Sequence, residues 1–267
     1  MTPTAAPTDA LADLIDQELQ PLPPAWQSAR QRDLLAEARR AEAEGIDAYW
    51  ESVARQFRWS RPWDAVRIGG MTDIRYFVGG TLNVADNCVD RHAENPARRD
   101  KTAIIWEGED GAVRTLSYAE LLTEVRSCAN ALKALGVGRG DVVAIYLPNL
   151  PEAFVAIHAC NRIGAIYTVL FSGFSADAVA LRLLTARAVC VITADLSYRR
   201  GRVVPLLENV RSARGRAPDV RHVIVVDRSG AALRDGESGW AALLGQQSAE
   251  CPCTSLEANE PAFLIFT

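Results

Sequence analysis

The segment Asp195-Leu196-Ser197-Tyr198-Arg199-Arg200-Gly201-Arg202 packs three arginines into four positions. Guanidinium groups are forked donors that grip phosphates, so this cluster is equipped for anion recognition rather than proton transfer. The run follows an apolar strand, and Ser197 is a residue type that caps helices. The pattern predicts a helix from about Tyr198 to Arg211 with the arginines in its first turns. Cations are unfavourable at the positive end of a helix dipole unless an anion is near. Arg199 and Arg202, three apart, would share a face. With free backbone N–H groups they would form a phosphate clamp. A solvated basic face is the competing reading.

A second stretch, Phe171-Ser172-Gly173-Phe174-Ser175, leaves one strand and enters a helix. Ser172 and Gly173 are small enough to let a ligand approach the backbone, and a phenylalanine there could lie against a flat ring. A plain turn with Ser175 as helix cap fits the same residues. Gly136-Val137-Gly138-Arg139-Gly140-Asp141 imitates a dinucleotide fingerprint, but a helix precedes it and a strand follows, the reverse of what pyrophosphate binding needs. It reads as a helix stop and a turn. Cys251-Pro252-Cys253 is the one close cysteine pair, and His92, His158 and His222 supply no further ligands at zinc-binding spacing. Lys101 and Lys133 are the only lysines, at a strand entrance and on a helix, and neither is placed for chemistry. Trp59, Trp63 and Trp106 could stack on a ligand; for the first two, packing of the N-terminal segment is the preferred reading.

These residues need a frame. From Thr102 onward apolar strands alternate with amphipathic helices. Ala103–Trp106 and Val113–Leu116 read as a hairpin around Glu109-Asp110-Gly111. Ser117-Tyr118-Ala119-Glu120 is a capping box that starts a helix ending at Gly136. Strands follow at Val142–Leu147, Ala165–Phe171, Ala188–Thr193 and Val220–Val226. Helices are expected at Pro151–Ile163, Ser175–Ala186 and around Trp240, and a final buried strand after Pro261. Continuous apolar strands separated by helices predict an α/β fold, an open and mostly parallel sheet with helices on both faces. Ligands in such sheets bind beyond the carboxyl ends of the strands, which is where both candidate stretches fall. Residues 1–100 are expected to form a helical N-terminal extension that packs on the main domain. It would hold a short amphipathic stretch before Pro24, a helix broken near Gly45, and a helix from about Leu82 to Glu94. Residues 101–267 form the first part of the main domain.

Composition narrows the class further. The formal net charge of −4 argues against a nucleic-acid surface. No apolar run approaches the ~20 residues that span a bilayer. The start, Met1-Thr2-Pro3-Thr4-Ala5, lacks the basic and apolar regions of a secretory signal. Six cysteines without an export signal predict reduced thiols and a cytoplasmic location.

Several motifs in order carry a resemblance. They are Trp59-x-x-Pro62-Trp63-Asp64, Tyr76-Phe77-Val78-Gly79-Gly80-x-Leu82-Asn83-Val84, and Asn87-Cys88-x-Asp90-Arg91-His92. Further along come Asp100-Lys101-x-Ala103-Ile104-Ile105-Trp106-Glu107-Gly108, Tyr146-Leu147-Pro148, Arg162-Ile163-Gly164-Ala165 and Ile192-Thr193-Ala194-Asp195. From about Asp47 to Thr267 the chain resembles the N-terminal part of AMP-forming acetyl-CoA synthetases and relatives such as propionyl-CoA synthetase, within the adenylate-forming enzymes.

The resemblance implies a two-step ligase. A short-chain carboxylate attacks ATP to give an acyl-adenylate and pyrophosphate, and CoA then displaces AMP, with Mg²⁺ neutralising phosphate charge. It implies that Arg199 and Arg202, with Arg200 and Gly201 between them, bind the 3′-phosphate end of CoA. It places Phe171, Ser172 and Gly173 against the CoA adenine, and Thr267 at the start of the ATP phosphate loop. Ser172 departs from the family's glycine, and Tyr167-Thr168-Val169-Leu170 from its histidine-serine pair, so the acid need not be acetate. The expected catalytic and acyl-binding residues lie beyond Thr267, so no catalytic and no metal-binding residue is assigned here. The chain alone is expected to be inactive as a ligase and, with an incomplete sheet, to self-associate. The alternatives are a propionyl-CoA synthetase-type ligase, a CoA- or nucleotide-binding module without catalysis, and a scaffold indifferent to Arg199 and Arg202. Small molecules are the expected partners, with neither nucleic acid nor membrane.

Overall fold

The computed structural model describes residues 34–109, 111–199 and 201–267. The amphipathic stretch expected before Pro24 and Arg200 of the arginine run lie outside the described residues. Two compact units divide the chain between Val53 and Ala54. The first holds helix α1 (Leu34–Glu44) and all but the last residue of α2 (Ile46–Ala54), the two interrupted at Gly45, where φ is +85°. That left-handed backbone, cheap for glycine, makes the break expected from sequence.

The second unit opens with an antiparallel pair, β1 (Ala65–Ile68) and β2 (Arg75–Val78), then β3 (Thr81–Leu82). A π-helical turn at Asp86–Asp90 runs into the short helix α3 (Arg91–Ala93). Trp59, Trp63 and Phe77 form an aromatic cluster here, with ring centroids 4.8–5.4 Å apart. The hairpin β4 (Thr102–Glu107) and β5 (Val113–Ser117) leads to α4 (Tyr118–Ala134). Its capping box is formed: Glu120 N–H donates to Ser117 Oγ at 3.3 Å, and Ser117 N–H donates back to Glu120 Oε2 at 2.7 Å.

Then follow β6 (Val142–Tyr146), α5 (Pro151–Ile163), β7 (Ile166–Val169), α6 (Ala176–Ala186) and β8 (Cys190–Ala194). The chain continues through β9 (Ser197–Arg199), β10 (Arg202–Val204), α7 (Leu206–Arg214), β11 (His222–Val226), β12 (Glu237–Gly239), α8 (Trp240–Gly245) and β13 (Leu256–Glu257). β13 pairs antiparallel with β3 and closes the N-terminal part of this unit onto its end.

The core sheet has five strands, all parallel, in the order β12-β11-β8-β6-β7. The chain steps from β6 outward to β7, then back across β6 to β8 and on to β11. Right-handed crossovers therefore place α5 on one face, and α6 and α7 on the other. The strands β6 and β8, side by side and buried almost throughout, send their following loops to opposite faces. This is a topological switch point, where such sheets open a crevice.

Two expectations fail. The helix predicted from Tyr198 is absent: Ser197–Arg199 and Arg202–Val204 form a tight antiparallel hairpin, and helix begins only at Leu206. Gly201, at φ +71°, makes the turn. Val203 and Val204 favour extended backbone, and Pro205 starts the next helix rather than continuing one. The final segment is not a buried strand. β7 is the sheet edge, and the segment lies along it through one bridge, Tyr167 to Phe263, with Leu264 N–H donating to Tyr167 O at 2.9 Å. Ile265 remains 72% exposed.

Candidate functional site

A cavity of about 980 Å³ lies beyond the carboxyl ends of β6, β7 and β8. The loop after β6 (Leu147–Leu150), the turn after β7 and the β9–β10 hairpin form its walls, and the tip of the β4–β5 hairpin contributes Trp106, Glu107 and Glu109. Its position is the switch point that the strand order requires.

The turn after β7 is held from beneath. Tyr146, the last residue of β6, is fully buried, and a buried phenol must find a partner. Its hydroxyl donates to Phe174 O at 2.8 Å, lies 3.3 Å from Ser172 O, and accepts from Asn209 Nδ2 of α7 at 3.2 Å. Burial pushes the phenol upward in pKa, against the Asn209 hydrogen bond, so it stays a donor. Phe171 is left 52% exposed at the cavity wall, edge-on to Phe174 with centroids 5.6 Å apart. Ser175 caps α6 by accepting from Ala178 N–H at 3.4 Å, so the small-residue turn and the cap coexist.

Arg199 reaches this turn from the hairpin. Its guanidinium carbon stands 4.9 Å from the Phe171 ring centre, a cation–π contact. A Cβ added at Gly173 would sit 2.6 Å from Arg199 Nη1 and 2.5 Å from Phe171 Cε1, so glycine is what lets the guanidinium pass. Arg202 is the cross-strand partner of Arg199. Like charges directly opposed on one hairpin face repel, an arrangement that a bound anion would relieve. Among the described residues neither arginine has a carboxylate within ion-pair distance. Arg199 and Gly201 line the cavity; Arg202 and Thr267 do not. The dipole and free N–H arguments for the clamp fall with the helix, and the structure instead brings Arg199 against the Phe171–Gly173 turn.

The loop after β8 is anchored by Asp195. Its carboxylate accepts from Leu196 N–H at 2.8 Å, Arg228 N–H at 3.0 Å, Ser229 N–H at 2.8 Å and Ser229 Oγ–H at 2.7 Å. Burial pushes its pKa up, but the hydrogen bonds from Ser229, Leu196 and Arg228 outweigh it and hold the carboxyl below its ordinary value. This staple brings in Arg228, from the loop after β11, whose guanidinium lies 5.2 Å from the Tyr198 ring and lines the same cavity. Sequence reasoning missed both Tyr146 and Arg228. A tyrosine ending a buried strand was a signal for the first; nothing local announces the second.

Burial raises the Cys88, Cys128, Cys160 and Cys190 thiols and takes Cys253 to about 12, the opposite of an activated thiol. Among the described residues no group of three or more histidine, cysteine, aspartate or glutamate side chains is placed to hold a metal ion. No described helix is long and apolar enough to cross a membrane.

Comparison with known proteins gives a consistent set of likenesses. A family model described as AMP-binding enzyme matches residues 89–267, and one described as acetyl-coenzyme A synthetase N-terminus matches residues 35–88. Acetyl-coenzyme A synthetase of Deinococcus radiodurans is 44% identical over 225 residues, covering 83% of this chain and 34% of that protein. The Syntrophus aciditrophicus protein of the same name is 39% identical over 260 residues, covering 93% of this chain and 40% of its own length. Acetoacetyl-CoA synthetase from Streptomyces lividans superposes with a TM-score of 0.80 at 29% identity, over 86% of this chain and 35% of that one. The chain thus spans little more than a third of the length of the curated relatives it matches.

Proposed function

This chain belongs to the AMP-binding enzyme family, and from that premise we propose that it is the CoA-side front part of an AMP-forming acyl-CoA ligase. The whole enzyme would activate acetate or a related short-chain carboxylate with ATP and pass the acyl group to CoA, releasing AMP and pyrophosphate. The observation that carries the reading is the cavity at the switch point, where a hairpin guanidinium lies over an exposed phenylalanine beside a glycine with no room for a side chain.

In this reading Arg199 draws in a phosphate of CoA, and Arg202 adds charge from the opposite strand. Arg200 and Gly201 lie between them in sequence, and Gly201 makes the turn. Phe171 offers its ring to the adenine, Ser172 at the cavity wall lets the nucleotide approach the backbone, and Gly173 leaves the space through which Arg199 reaches the site. Thr267 would lead into the ATP phosphate loop, and residues 1–100 serve as the family's N-terminal extension. Charge-assisted hydrogen bonds give the site preference for a phosphorylated ligand. Mg²⁺ enters through the family's chemistry, where it would neutralise phosphate charge.

Calorimetric titration with CoA and with 3′-dephospho-CoA tests the reading. CoA should bind about tenfold or more tightly, the value of one charge-assisted contact, and Arg199→Ala should abolish the difference. Equal affinity for the two ligands would remove Arg199 from the site. With only a third of its relatives' length, the chain should release no pyrophosphate from ATP and acetate; steady release would overturn that part.

A further inference from the structure

Arg228 lies 29 positions beyond Arg199 in sequence, yet both line the one cavity. Three features fix Arg228 there. Its backbone N–H is held by Asp195, the same carboxylate that anchors the start of the hairpin loop. Its own loop is braced by Asp227, which accepts from Ser229 N–H at 3.2 Å and Gly230 N–H at 2.6 Å. Its guanidinium rests on the Tyr198 ring, on the hairpin face opposite Arg199.

Among the described residues no carboxylate lies within ion-pair distance of this guanidinium, although basic and acidic groups elsewhere pair readily in bridges such as Arg211 to Glu237 at 2.6 Å. Tyr198 orients the cation without neutralising it, and stacking leaves the guanidinium edge free to donate. Glu107 and Glu109 stand on the cavity's other wall, on the β4–β5 tip.

We infer that Arg228 is a further ligand-binding residue, a guanidinium that takes a phosphate group of the CoA nucleotide from the side of the cavity opposite Arg199. The inference rests on the CoA reading above and extends it to a loop outside the arginine run. It makes the site a two-sided grip, with one cation over Phe171 and the other over Tyr198, and Asp195 holds the start of the first cation's loop and the backbone of the second.

Arg228→Gln and Arg228→Lys test it in the full chain, titrated with CoA and with ATP. Arg228→Gln should weaken CoA about tenfold, Arg228→Lys less, and neither should move the thermal midpoint, because the side chain has no structural ion pair to lose. Unchanged CoA affinity in Arg228→Gln would overturn the inference, as would a loss confined to ATP. If Arg199→Ala weakens CoA while Arg228→Gln does not, the functional reading stands and this inference alone falls. If the unaltered chain binds no CoA, both fall.

Discussion

Gly173 is crowded by the two side chains that meet over it. The absent Cβ leaves the channel through which Arg199 meets Phe171, and an alanine there would overlap both. Gly173→Ala should therefore displace the guanidinium and weaken CoA about tenfold with little change in stability, since both neighbours can swing toward solvent. Affinity equal to the unaltered chain's would show that Arg199 does not act from this position. Asp195 makes a prediction of another kind. Its pKa is depressed in the folded chain, so the stability it contributes is complete above its unfolded value of about 3.9 and is lost as pH falls through the lower folded value. Asp195→Asn should be less stable at pH 7 and show a shallower loss below about pH 4 in urea titrations. Identical slopes for the two proteins would dismiss the staple. At this scale the sequence was legible where chemistry is local. The Phe171–Gly173 turn and the arginine run announce themselves by residue type. Tyr146 and Arg228 matter through partners 26 or more positions away, and no window of sequence contains both ends of such a contact.

Among elements, the parallel strands and the helices between them were readable because each is long and apolar enough to have one solution. α5 begins at Pro151 and ends before Gly164, at φ +76°, as its punctuation requires. The β9–β10 hairpin was misread because Ser197 looks like a cap and three arginines tolerate a helix. Gly201, the valine pair and Pro205 outvoted them. The element-level contact with most at stake joins α5 to the π-helical turn. Arg162, 1% exposed, donates to Asp90 through Nη1 at 2.7 Å and Nη2 at 3.0 Å, and its Nε donates to Cys251 O. Arg126 adds a weaker contact to Asp90 at 3.3 Å. Removing one member of a buried pair strands the other charge, so Arg162→Met should cost about 3–5 kcal/mol in urea unfolding. Adding Asp90→Leu should recover much of that. A single-variant loss below about 1 kcal/mol would mean the pair is effectively hydrated. Both residues belong to motifs that carried the family resemblance, yet their meeting could not be read from either motif.

For the molecule as a whole, the surface is the informative feature. Ile105 is 74% exposed and Ile265 is 72% exposed, with Phe154, Val169 and Phe263 about half exposed. Both flanks of the parallel sheet end on short strands, β12 and β7, the latter covered by only one bridge. Exposed apolar side chains and an open edge favour association with another chain. Sedimentation velocity should show concentration-dependent association at micromolar levels, reduced by Ile265→Glu beside the β7 edge. A single monomeric species at every concentration would contradict this.

The Asp90–Arg162–Cys251 contact also sets an order in time. Asp90 leaves the ribosome 72 residues ahead of Arg162, and Cys251 follows 89 residues later still. At about 5–20 residues per second, the carboxylate waits on the order of ten seconds for its full set of partners. Until then it must remain in water, and the π-helical turn that carries it cannot be sealed against α5. The sheet can assemble strand by strand during synthesis, while the N-terminal segment of this unit docks last, as a latch closed by residues made long after it.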